Sequence, residues 1–130
     1  MTKVQDIVAA KGNEVWSLGP AHSVYQAIEM MALKGVGALT VLSDEGKLIG
    51  IISERDYARK VILLGRTSAD TPVSEIMTST VISVSPGESA EKCMSLMTEK
   101  KCRHLPVLDG GKVIGMVSIG DLVKAVIQDQ

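Results

Sequence analysis

The sequence predicts a mixed α/β fold built from two similar halves that pack through their sheets around a pseudo-two-fold axis. Two observations lead to this prediction: stretches of the first half recur in the second, and each half carries the same order of strand and helix patterns. The chain has 130 residues, which suits two small repeats that share a core. One repeat alone is marginal in size and leaves an apolar sheet face uncovered, so we expect the two copies to bury these faces together.

The internal repeat divides the chain. Residues 46–53 recur as residues 111–118 with small changes. Three further pairs occur in the same order: 4–7 with 73–76, 20–23 with 86–89, and 39–42 with 105–108. We therefore assign repeat one to residues 4–64, a polar linker to 65–72 and repeat two to 73–127.

Each repeat shows the pattern β-α-β-β-α. In repeat one, an extended segment over 14–18 precedes a helix that begins with the capping pair Ser23 and Gln26 and ends near Gly35. Two β-rich runs and a closing helix follow. The matching parts of repeat two are an extended segment over 80–84, a helix with Ala90, Cys93, Met94 and Met97 on one face, two β-rich runs and a closing helix.

Composition and charge exclude several classes of function. The formal net charge is −1 and aromatic residues make up 2% of the chain, so we expect no nucleic-acid partner. No apolar run is long enough to cross a bilayer, and the first residues lack an apolar signal region, so we expect no membrane partner and a cytoplasmic location. Cys93 and Cys102 lack the spacing of a metal or redox pair, and we expect them to be buried packing residues.

The motif Gly-x-x-Ser-x-x-Asp occurs once in each repeat, where the last strand turns into the closing helix. It comprises Gly50, Ser53 and Asp56 in repeat one and Gly115, Ser118 and Asp121 in repeat two. Serine followed three residues later by aspartate is typical of a helix start, because the pair satisfies unpaired backbone amides. The same groups suit a ligand, because a carboxylate accepts hydrogen bonds from both ribose hydroxyls and glycine leaves room near the backbone. Both interpretations remain open.

The duplicated pattern with its two motifs resembles the cystathionine-β-synthase (CBS) domain pair, or Bateman module, over residues 4–127. The resemblance implies a stand-alone regulatory module for energy sensing that binds an adenine nucleotide in clefts between the repeats, with the motif aspartate at the ribose. AMP is the first choice of ligand, because one or two phosphates suit a shallow cleft with few cations, and ADP, ATP or a dinucleotide such as NADH are alternatives. The resemblance implies no catalytic cofactor. It also implies a homodimer, which would cover the apolar helix faces around Met30, Val61 and Val126, and a target protein that the sequence does not identify.

The resemblance assigns residues to two clefts. The first takes Ser53, Arg55 and Asp56, with Thr80, Val81 and Ile82 at the base and Arg103 and His104 near the phosphate. The second takes Ser118 and Asp121, with Val15, Trp16 and Ser17 at the base; Gly37 and Ala38 replace the two basic residues, and Lys124 is the nearest cation by sequence. Arginine supplies both charge and directed donors, so a phosphorylated ligand is expected to prefer the Asp56 cleft. As structural alternatives, Arg103 and His104 are sheet-edge residues, Arg55 is solvated and Trp16 belongs to the core.

Two other classes of function remain open. One is a protein-interaction or scaffold module whose clefts are empty or vestigial. The other is an enzyme, but the sequence shows no Ser-His-Asp or Cys-His arrangement, and Ser53 and Asp56 are spaced for capping. We therefore expect no enzymatic activity.

Overall fold

The computed structural model describes residues 2–12 and 14–129, which form two compact units. We call them the Asp56 unit, which spans Trp16–Val81, and the Asp121 unit, which combines the described residues of Met1–Val15 and Ile82–Gln130. Each unit has a small sheet and helices, so the predicted mixed α/β fold with two similar halves is confirmed. The units and the repeats divide the chain differently, because residues 2–12 lie in the Asp121 unit and residues 73–81 in the Asp56 unit.

The helices and strands follow the predicted order, except that an unpredicted helix precedes them in the first half and no strand forms over 80–84 in the second. In chain order they are α1 (Val4–Ala10), β1 (Ser17–Leu18), α2 (Val24–Lys34), β2 (Ala38–Leu42), β3 (Leu48–Ser53), α3 (Glu54–Tyr57), α4 (Ala90–Lys100), β4 (His104–Asp109), β5 (Lys112–Ser118) and α5 (Ile119–Gln128). A π-helical turn over Ala58–Ile62 continues α3, and a 3₁₀ turn spans Val73–Glu75.

The Asp56 unit contains a three-stranded sheet in the order β1-β2-β3. Strand β1 is parallel to β2, and β2 is antiparallel to β3. Helix α2 begins as the sequence predicts, because Ser23 Oγ accepts from the Gln26 amide at 3.1 Å and the Ser23 amide donates to Gln26 Oε1 at 2.9 Å. It ends at Gly35, whose φ of 66° lies in the left-handed region. The buried face of α2 and the sheet form one hydrophobic core, which also includes Val73 and Ile76.

The Asp121 unit pairs β4 antiparallel to β5. Of the predicted extended segment over 80–84, Val84 makes a parallel bridge to β4, in which its amide donates to Pro106 O at 3.0 Å. Helix α1 joins this unit, because Val4 and Val8 are buried in one core with Leu105, Val107 and Leu122. Both extended segments are thus shorter than predicted. The segment over 80–84 forms a single bridge, and the segment over 14–18 forms only the two residues of β1.

The closing helix of the first half differs from the prediction. It is α-helical for one turn and then π-helical from Ala58. Val61 is only 2% exposed, whereas Ile62, Leu63 and Leu64 are exposed. The prediction of an uncovered face at Val61 is therefore wrong, because Val61 belongs to the core of the Asp56 unit.

The linker over 65–72 is bonded to the start of α2. The Val24 amide donates to Thr71 O at 2.8 Å, and the Tyr25 amide donates to Ser68 O at 3.0 Å. Thr71 is buried, and its hydroxyl donates to Thr67 O at 2.6 Å. These bonds supply acceptors for two backbone amides in the first turn of α2. Amides in the first turn of a helix have no acceptor within the helix itself.

Helix α5 carries an uncovered apolar stripe. Ile119, Val123 and Ile127 are exposed and lie four residues apart, which places them on one face of the helix. Across residues 2–12 and 14–129, no helix combines the length and the apolar character needed to cross a membrane.

Candidate functional site

Both copies of the Gly-x-x-Ser-x-x-Asp motif form capping boxes. The Ser53 amide donates to Asp56 Oδ2 at 3.0 Å, and the Asp56 amide donates to Ser53 Oγ at 3.2 Å. In the second copy the corresponding distances for Ser118 and Asp121 are 2.8 and 3.1 Å. The structural interpretation of the motif is therefore confirmed. Since one carboxylate oxygen suffices for the cap, the other oxygen of each aspartate decides what else the site can bind.

The motif glycines make room for the chain itself. A Cβ added to Gly115 would lie 2.7 Å from Val8 Cγ1, and a Cβ added to Gly50 would overlap the Met77 side chain. The expectation that these glycines leave space for a ligand is therefore wrong. Their absent side chains instead allow residues 2–12 and 73–81 to approach β5 and β3 closely. These two contacts bring Lys11 to Asp121 and Thr78 to Asp56.

Asp56 has donors on both carboxylate oxygens. Besides the cap on Oδ2, Lys60 Nζ lies 3.1 Å from Oδ1, and the Thr78 hydroxyl lies 3.5 Å from the same atom. Lys60 also donates to Ile76 O at 2.9 Å. The Asp56 side chain is 13% exposed. Sequence reasoning missed Lys60 and Thr78, although the spacing of four residues from Asp56 to Lys60 is a known signal for an ion pair.

Asp121 keeps one oxygen open. Lys11 Nζ donates to Oδ2 at 2.8 Å and to Met116 O at 3.0 Å, and the Ser118 amide also donates to Oδ2. In the described part of the chain, no donor contacts Oδ1 of Asp121, and this side chain is 24% exposed. Burial alone raises the pKa of Asp121, but the hydrogen bonds and charge of Lys11 and the bonds from Ser118 outweigh it, and the net pKa is lowered. Asp121 therefore stays ionised near neutral pH.

Lys11 is the main residue that the sequence did not reveal. It lies 110 residues from Asp121, at the end of α1 and outside both motifs. No local pattern pairs residues so distant. The contact arises because α1 packs against β5 through Val8 and Gly115.

Arg103 and His104 lie beside the second motif. His104 pairs with Ser118 across β4 and β5, and the Ile119 amide donates to Arg103 O at 2.9 Å. In the Asp56 unit, Ala38 holds the corresponding place beside Ser53. Lys124 is the nearest cation to Asp121 by sequence, but the cation that contacts this carboxylate in the structure is Lys11.

The pKa of His104 reports the charge around it. Burial lowers this pKa most; the positive charge of Lys11 lowers it further, Asp121 raises it, and Arg103 lowers it. Burial and the two neighbouring cations thus favour the neutral form of His104, and the Asp121 carboxylate opposes them.

The remaining predicted site residues fall in both units. Arg55 is half-buried beside Asp56, Thr80 is exposed, and Val81 and Ile82 are half-buried, with Val81 in the Asp56 unit and Ile82 in the Asp121 unit. Val15 and Trp16 are half-buried in different units, and the Ser17 hydroxyl bonds to that of Thr40. Trp16 packs on the core of the Asp56 unit, and Lys34 Nζ lies 4.2 Å from the centre of its ring. Trp16 is thus already engaged within its own unit.

The cysteines suit a packing role. Cys93 is fully buried, and burial, aided by Glu88, raises the pKa of its thiol to about 11. Cys102 is half-buried rather than buried, and burial raises its pKa as well. A raised pKa keeps a thiol protonated and unreactive near neutral pH. Within the described residues, no group of three or more His, Cys, Asp or Glu side chains is placed to hold a metal ion.

A family model for the CBS domain matches the chain twice, over residues 4–63 and 73–128. The chain belongs to the CBS-domain family. The two matches cover nearly the whole sequence, and each ends with one of the two Gly-x-x-Ser-x-x-Asp motifs and the helix that follows it. The protein is thus a CBS pair, as the duplicated pattern predicts.

Relatives of this CBS pair include proteins of similar and greater length. A CBS domain-containing mitochondrial protein of Arabidopsis thaliana, CBSX3, is 40% identical over 98% of this chain, which spans 66% of that protein. YhcV of Bacillus subtilis is 33% identical over 94% of this chain and 84% of its own length. A solved structure with CBS domains from Burkholderia ambifaria has a TM-score of 0.93 at 53% identity and covers 99% of this chain and 96% of its own.

One structural neighbour of this CBS pair was solved with ligands. The CBS-domain pair of protein MJ0100, in complex with 5′-methylthioadenosine and S-adenosyl-L-methionine, has a TM-score of 0.88 and covers 100% of this chain and 99% of its own. Its sequence identity is 24%, so the likeness concerns the fold.

Proposed function

We propose that this CBS pair is a regulatory module that binds an adenine nucleotide and passes the signal to a target protein. The observation that carries the proposal is the open Oδ1 of Asp121, on a carboxylate that Lys11 and the Ser118 amide hold in place. An ionised carboxylate with one open oxygen accepts hydrogen bonds from the vicinal hydroxyls of a ribose. The neighbour solved with two adenosine-containing ligands supports this ligand class.

AMP is the first candidate among the adenine nucleotides. The cations that lie with Asp121 are few, namely Lys11, Arg103 and His104 when it is protonated, and one phosphate suits them best. ADP, ATP and NADH are the alternatives, because no phosphate-binding loop or dinucleotide fingerprint specifies the number of phosphates. Of the residues that we assigned from the family resemblance, Arg103 and His104 are now proposed for the Asp121 site, and the others remain the proposed contacts. Binding without catalysis is the proposed activity.

A thermal-shift measurement with AMP, ADP, ATP and NADH tests this function. A ligand that binds the folded state alone raises stability by about 2.7 kcal/mol at a hundredfold excess over its dissociation constant. We expect AMP to raise the melting temperature, while a pyrimidine nucleotide such as UMP, which has the same ribose and phosphate, serves as the control for the adenine base. If no adenine nucleotide shifts the transition at millimolar concentration, the alternative of a scaffold with vestigial sites replaces this proposal.

Self-association is also part of the proposed function. The stripe of Ile119, Val123 and Ile127 is apolar, exposed and continuous along α5, and a two-fold dimer is the commonest closed assembly. We expect analytical ultracentrifugation to show a dimer at micromolar concentration. Replacing Val123 by lysine should yield monomers, because it places a charge in the buried contact. The neighbouring exposed change Lys124→Ala is the control, and a monomeric unmodified chain would contradict the proposal.

A further inference from the structure

We propose that Lys11 is a specificity-determining residue of the Asp121 site, where its ammonium group contacts the phosphate of a nucleotide whose ribose binds Asp121. This inference rests on the proposed function, since it takes Asp121 as the ribose acceptor. It adds a residue outside both motifs and assigns it a ligand group. It also reverses the expectation that phosphate favours the Asp56 half.

The ammonium group of Lys11 has one donor left for a ligand. A lysine ammonium carries three N–H donors. Two of them are used, by Asp121 Oδ2 at 2.8 Å and by Met116 O at 3.0 Å. The Lys11 side chain is 44% exposed, so solvent or a ligand reaches its end. The two internal bonds hold the charge in place, and the third donor has no acceptor among the described residues.

The acceptor and the donor of the site are neighbours. Oδ2 of Asp121 already accepts from Lys11 and from the Ser118 amide, while its Oδ1 accepts from no described residue. A ribose bound at Oδ1 therefore lies next to Lys11. In a nucleoside 5′-phosphate the phosphate is attached to that same sugar, and an ammonium on a flexible stem is a common phosphate partner.

The charges near this site also favour an anion. His104 is the first residue of β4 and pairs with Ser118. Arg103 precedes it, and its carbonyl accepts from the Ile119 amide. The pKa of His104 is lowered first by burial and then by Lys11, and the Asp121 carboxylate raises it less than Lys11 lowers it. Lys11 is paired with Asp121, whereas Arg103 has no ion-pair partner among the described residues, so a phosphate group would compensate its charge.

Lys60 is the matched comparison in the Asp56 unit. It too bridges a motif aspartate and a backbone carbonyl, with distances of 3.1 Å to Asp56 and 2.9 Å to Ile76 O. Its exposure, 42%, is close to that of Lys11. The difference is the carboxylate, because both oxygens of Asp56 already have donors, including the hydroxyl of Thr78. Lys60 therefore acts as a structural partner of Asp56.

Calorimetry of four chains with two probes tests the inference. The chains are the unmodified protein, Lys11→Met, Lys11→Arg and Lys60→Met, and the probes are AMP and adenosine. Methionine keeps most of the aliphatic stem and removes the charge. The Lys11→Met variant should bind AMP about tenfold or more weakly than the unmodified chain, because it loses a hydrogen bond to a charged group. Adenosine binding should change less than about twofold, because adenosine has no phosphate for Lys11 to contact and the exposed Lys11–Asp121 pair itself contributes little. Arginine restores the charge and should restore most of the preference for AMP.

The outcomes separate the two proposals. If the unmodified chain binds neither AMP nor adenosine, the proposed function fails and Lys11 has no ligand to select. If it binds AMP but Lys11→Met and Lys60→Met weaken it equally, the proposed function stands and the assignment to Lys11 is overturned. Equal losses for AMP and adenosine in Lys11→Met also overturn it, because Lys11 would then act only by holding Asp121. A melting curve of each variant confirms that it is folded under the conditions of binding.

Discussion

Replacing Asp121 by alanine is expected to weaken the binding of adenosine by about 1.5–3 kcal/mol, the usual range for hydrogen bonds to a charged group. The variant removes the open oxygen Oδ1 together with Oδ2, which caps α5 and binds Lys11. Calorimetry with adenosine measures the loss. The expected result follows from an ionised carboxylate that has one oxygen without a donor in the described structure.

A ligand without the sugar hydroxyls provides the control for this prediction. The same variant should bind 2′,3′-dideoxyadenosine about as well as the unmodified chain does, because that ligand offers no hydroxyl to Asp121. Equal losses for both ligands would show that Asp121 acts through folding, as a helix cap. Asp56→Ala is expected to cost less adenosine affinity, because Lys60 and Thr78 already engage the second oxygen of that carboxylate.

Replacing Ile76 by alanine is expected to lower the free energy of unfolding by about 2–5 kcal/mol, the range for truncating a fully buried aliphatic side chain. Ile76 is 1% exposed and packs in the core of the Asp56 unit, although it belongs to the sequence of the second repeat. The lost contacts cannot be recovered locally, since the side chain is surrounded by the core of the other repeat. Urea denaturation followed by circular dichroism measures this change.

Leu33→Ala is the matched control, because Leu33 is an aliphatic residue of the same unit with 77% exposure. Its truncation should change stability by no more than about 0.5 kcal/mol. A loss for Ile76→Ala as small as that for Leu33→Ala would show that the segment over 73–81 does not contribute to the core of the Asp56 unit.

Local features of the fold could be predicted because they depend on neighbours in the chain. The capping pair Ser23 and Gln26, the end of α2 at Gly35 and the position of both motifs at strand-to-helix turns are all present as expected. The apolar face of α4 is also present, with Ala90, Cys93 and Met97 buried. These features involve residues within about one turn of a helix, so a periodic pattern is sufficient to reveal them.

The π-helical turn shows where a local pattern is insufficient. The sequence places Val61 and Ile62 together on the closing helix, but the structure buries Val61 and exposes Ile62. Adjacent residues of any helix point in different directions, and a π-helical turn, which holds more residues than an α-helical one, further shifts which side chains face the core. The helical period alone does not reveal this change.

By itself the sequence determined that the protein is a duplicated α/β chain with a serine and an aspartate at the start of each closing helix. The tertiary structure alone decided how the two carboxylates differ. The first segment of each repeat packs in the unit that holds the rest of the other repeat, with Val8 against Gly115 and Met77 against Gly50. That packing places Lys11 on Asp121 and Thr78 beside Asp56. The physical reason is that these contacts join residues that are distant in the chain. They form because two segments can approach closely at a glycine, and the periodicity of the sequence does not reveal such an approach.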